Sequence, residues 1–123
     1  MAPYSNAADV IEYTGVKPGD LYLESDAAIA TLLDKWLVQV SALMHKHQRV
    51  EYEDPDEELT AALDNIAMRI CANMIGQAKL RRDYHVIRIG DFAVRMVEDA
   101  ILTSDILDDL AALPNKRHGW VFI

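Results

Sequence analysis

A mainly α fold is predicted by three observations. Two long stretches repeat apolar residues every three or four positions, cap-forming residues stand at their ends, and one short segment, 85–97, switches to period two. The expected architecture is an antiparallel pair of long helices with short flanking helices, a β-hairpin and an extended C-terminal arm. Residues 1–114 form a single helical domain that includes the hairpin, and residues 115–123 form the arm.

Each element has its own local reason. Ser5 or Asn6 caps a short first helix, Asp9 suits the exposed N–H groups of its first turn, and Gly15 supplies a left-handed stop. Lys17-Pro18-Gly19-Asp20 then reads as a turn. Ser25 caps the first long helix, 26–47, roughly 33 Å in length at 1.5 Å per residue. Its apolar stripe is Ile29, Leu32, Leu33, Trp36, Leu37, Val40, Leu43 and Met44, with Trp36 as the central core anchor.

The second long helix starts with Asp54 as cap, Pro55 at the first helical position and Glu57 closing a capping box. Leu59, Leu63, Ile66, Ala67, Ile70, Met74, Ile75 and Ala78 line its apolar face. Small residues such as Ala62, Ala67, Cys71, Ala72 and Gly76 let the partner helix come close. The period then changes. His85-Val86-Ile87-Arg88-Ile89 and Phe92-Ala93-Val94-Arg95-Met96-Val97 read as strands around a Gly90-Asp91 turn of type II′. Ile87, Ile89, Phe92 and Val94 share one face of that hairpin, and Val86, Arg88, Ala93 and Arg95 the other. Thr103 caps a last helix with Ile106, Leu107, Leu110 and Leu113 inward, and Pro114 ends it.

Composition narrows the class. The 123 residues are 51% hydrophobic and carry a net charge of −8, which describes an acidic, soluble chain and not a general nucleic-acid coat. No apolar run approaches the ~20 residues of a membrane span, and residues 1–6 lack a signal-peptide pattern. One cysteine, Cys71, precludes an internal disulfide and suits a reducing, intracellular compartment. The charge is uneven. Residues 1–68 hold 13 acids against four bases, a net −9, while residues 69–123 hold seven acids against eight bases, a net +1. Such asymmetry is common on proteins that stack or pair head to tail.

Catalytic and metal chemistry find no support. There is no GxSxG, HExxH or glycine-rich phosphate loop. His45 and His47 would point about 160–200° apart on a helix, His85 and His118 stand alone, and Cys71 lacks a CxxC partner. Cys71 lies among Ile70, Ala72 and Met74 and reads as a small core residue. Asp108-Asp109 and the run Glu51-Tyr52-Glu53-Asp54-Pro55-Asp56-Glu57-Glu58 read as solvated acids and not as an acid–base pair. The expectation is a non-enzyme with no cofactor and no metal.

Two features leave alternatives open. Arg69, Lys79, Arg81, Arg82, Arg88 and Arg95 are either ordinary helix-end and hairpin decoration or a cationic surface that meets acidic loops on a neighbouring subunit. The C-terminal Trp120-Val121-Phe122-Ile123 either adds a strand to the chain's own hairpin or docks on a partner. Its place beyond Pro114 and the 115–119 stretch favours the partner.

The residues as a set have a likeness. The run Ile66-Ala67-Met68-Arg69-Ile70-Cys71-Ala72-Asn73-Met74, then Arg81-Arg82-Asp83, then Val86-Ile87-Arg88-Ile89-Gly90-Asp91-Phe92-Ala93-Val94-Arg95, then Thr103 with Asp109-Leu110, resembles the head–tail connector (adaptor) proteins of long-tailed bacteriophages. The opening helix ending in Tyr13-Thr14-Gly15-Val16 is also similar. The resemblance implies a virion protein at the neck, present in the host cytoplasm during assembly. It implies a dodecameric ring beneath the portal that extends the DNA channel and offers a docking surface to the tail or a stopper protein. Portal contacts would fall to Trp120, Val121, Phe122 and Ile123. Subunit contacts would fall to Arg88, Ile89, Gly90, Asp91, Phe92 and Arg95. Glu51, Glu53, Asp54, Asp56, Glu57 and Glu58 would form an exposed acidic loop or line the channel, where an acidic wall lets DNA slide without gripping its phosphates. The competing reading is a small dimeric regulator or antitoxin-like module that presents the Arg-bearing hairpin to nucleic acid.

Overall fold

The computed structural model describes residues 3–21, 23–48, 52, 54–81 and 101–113. The expected hairpin at 85–97, the arm at 115–123, Pro114, Glu51 and Glu53 lie outside the described residues. Within them the chain is mainly helical: α1 (Ala7–Thr14), a 3-10 turn (Pro18–Leu21), α2 (Asp26–Gln48), α3 (Glu57–Arg81) and α4 (Ser104–Ala111).

The short elements form where their caps dictate. Asn6 Oδ1 accepts from the Asp9 N–H at 2.9 Å, which chooses Asn6 over Ser5 as the cap of α1. Gly15 ends the helix at φ 67°, and its N–H donates to the Ile11 carbonyl at 2.8 Å. A side chain at Gly15 would meet nothing within 4 Å, so Gly15→Ala tests the backbone conformation alone. The expected loss is about 1 kcal/mol of unfolding free energy, read as a lower urea midpoint at unchanged slope.

The two long helices carry the core. Ser25 caps α2 through its Oγ, which accepts from the Ala28 N–H at 3.1 Å. Ile29, Leu32, Leu33, Trp36, Leu37, Val40, Ser41 and Met44 of α2 are buried, matching the apolar stripe except that Leu43 is only partly covered. From α3 come Leu63, Ile66, Ala67, Ile70, Cys71, Met74, Ile75 and Ala78. The two helices pack against each other, α1 lies against both, and α4 covers α3 and touches α2. Buried Ala67, Cys71 and Ala78 keep the α3 backbone close to its neighbours. Burial pushes the Cys71 thiol up to about 12, so it stays protonated and serves as a small apolar residue. By length and composition α2 also matches a membrane span, with a mean hydropathy of 1.3 over 18 residues, against the expectation that no stretch came near one. Its apolar stripe is instead taken up inside the domain, as in a core helix.

The start of α3 differs from the expectation. Asp54 adopts a left-handed φ of 46°, which a capping residue does not, and the cap is Asp56. Asp56 Oδ1 accepts from the Leu59 N–H at 2.7 Å, and its carbonyl accepts from the Thr60 N–H at 2.8 Å. Pro55 therefore precedes the cap, and Glu57 is the first helical residue. The physical reason is the approach to the helix. Pro55 disfavours a right-handed helical residue before it, so Asp54 takes the reversal and Asp56 the capping role.

An N-terminal strap completes the fold. The Tyr4 N–H donates to Oγ of fully buried Ser41 at 2.8 Å, and the Ser5 N–H donates to Asp64 Oδ1 at 2.7 Å. Tyr4 Oη lies 2.6 Å from His45 Nε2, with the two rings edge to face at 5.3 Å. Residues just ahead of α1 are thus tied to both α2 and α3.

Candidate functional site

Where α3 begins and α4 ends, the chain leaves a cleft of about 710 Å³. Leu59, Ala62, Ile66 and Leu113 give it an apolar floor, and Asp54, Asp56 and Glu58 give it an acidic edge. Asp54 and Glu58 are exposed and make no hydrogen bond or ion pair among the described residues. Glu57 is exposed beside them but does not line the cleft. Tyr52 does line it, although the residue is only 7% exposed and its hydroxyl is buried with no hydrogen-bond partner among the described residues.

The wall of the cleft is an ion-pair clamp between α3 and α4. Arg69 Nη2 donates to Asp105 Oδ2 at 2.9 Å, and Nη1 donates to Asp109 Oδ2 and to Asn65 Oδ1. Asp105 and Asp109 stand four residues apart on one face of α4, so a single guanidinium fork reaches both. The hydrogen bond to Asp109 raises the Arg69 pKa most; desolvation opposes it and the Asp105 bond adds to it. Asp105 titrates below its ordinary 3.8, chiefly because the Thr103 hydroxyl donates to it and then because Arg69 does. Two further bonds position α4: Gln48 Nε2 donates to the Leu110 carbonyl at 2.6 Å and Asn73 Nδ2 to the Ile101 carbonyl at 3.0 Å.

The clamp has a pH signature. A depressed carboxylate pKa contributes stability that is fully present above the unfolded value of 3.8 and is lost as pH falls through the lower folded value. Arg69 stays charged throughout that range. Asp105→Asn is therefore expected to lower the urea midpoint near neutral pH. The gap to the parent chain should close as the pH drops below about 3.8. A gap that persists in acid would mean that the asparagine disturbs packing and not charge.

The arrangement changes the reading of several predicted residues. Asp54, Asp56 and Glu58 are brought together at one cleft, whereas Arg88, Ile89, Gly90, Asp91, Phe92, Arg95, Trp120, Val121, Phe122, Ile123, Glu51 and Glu53 lie outside the described residues. Arg69 leaves the cationic group in which sequence had placed it, because its charge is committed to Asp105 and Asp109. Asp109 faces the cleft in that pair, while its neighbour Asp108 is exposed. Among the described residues no three His, Cys, Asp or Glu side chains gather as a metal site. Tyr52, Asn65 and the clamp were not anticipated; the one sequence signal was the Asp105/Asp109 spacing, whose partner lies 36 and 40 residues away. What the cleft offers is an apolar surface bordered by carboxylates with a buried hydroxyl at hand, a recognition surface for a cationic group with an apolar stem. No family model, no curated protein and no solved structure matches this chain.

Proposed function

We propose that the chain is a head–tail connector, a structural virion protein that forms a ring adaptor between capsid portal and tail and extends the DNA channel. The observation that supports this most is the order of elements on the residues that carry the resemblance. A short helix closes at Gly15, two long helices follow, and a short helix begins after Thr103. In this reading α2 and α3 run antiparallel and the segment 85–97 is a hairpin whose Arg88, Ile89, Gly90, Asp91, Phe92 and Arg95 meet the next subunit. The arm at 115–123 carries Trp120, Val121, Phe122 and Ile123 to the portal. The assembly is a dodecamer at the virion neck, built in the host cytoplasm, and a stopper or tail-completion protein docks on its other side. The protein works without catalysis or cofactor, and DNA passes it without sequence-specific binding.

Co-elution with the cognate portal protein on size exclusion tests the proposal, with a duplex-DNA gel shift at low salt as the contrast. The expected result is a portal complex and no DNA shift. A salt-sensitive shift without portal binding would favour the nucleic-acid-binding regulator instead.

A further inference from the structure

We draw no further inference here: the strongest candidate, the cleft between the start of α3 and the end of α4 with its acidic edge at Asp54, Asp56 and Glu58, belongs to the site already described, and nothing among the described residues shows what would occupy it.

Discussion

Replacing Trp36 by alanine is expected to remove about 3–5 kcal/mol of unfolding free energy. Trp36 is fully buried, heads the largest such side chains among the described residues, and stands midway along α2. That helix meets α1, the 3-10 turn, α3 and α4, so the void would open where most elements converge. A domain of this kind holds about 5–15 kcal/mol in total, so the variant should be marginal. Urea unfolding followed by circular dichroism reads the loss, and Trp36→Phe, which refills most of the space, should fall between the two. A change of less than about 1 kcal/mol would show that Trp36 does not anchor the core.

Deleting residues 120–123 should have the largest effect on function. In the connector reading the truncated chain keeps its helical signal and its urea midpoint but no longer co-elutes with portal. The described core is built from residues before 114, and in this reading it stands without the arm. If the truncated chain unfolded, the Trp120-Val121-Phe122-Ile123 run would belong to the chain's own packing. If it folded and still bound portal, the docking surface would lie elsewhere.

The helices and their buried faces were legible because they are local properties. Apolar spacing alone marks seven of the eight buried positions of α2, and Asn6, Gly15 and Ser25 act at their helix ends as their chemistry suggests. Cys71 was readable as a core residue for the same reason, since its neighbours on α3 are apolar. The start of α3 was harder. Asp54 and Asp56 both satisfy a capping pattern, and only the left-handed turn at Asp54 decides between them.

Contacts between distant residues left little trace. Arg69 looked like one cation among six, and Asp105 and Asp109 like ordinary acids of a solvated helix, until packing of α4 on α3 brought them together. Tyr52 sits in a run that is acidic at six of eight positions and reads as a solvated loop, yet it is buried. The Tyr4–Ser41 and Tyr4–His45 contacts join residues 37 and 41 positions apart, and no periodicity encodes such a strap. The candidate cleft was therefore half visible: its carboxylates stand together in sequence, while its floor, its clamp and its buried hydroxyl come from tertiary packing.

The measurement that bears most directly on the central claim is negative-stain electron microscopy of the full chain mixed with cognate portal rings. The expected result is a second ring, coaxial with the portal and continuing its central channel, which disappears when residues 120–123 are deleted. Portal rings that stay bare over a range of protein concentrations at which the chain is folded would contradict a connector role.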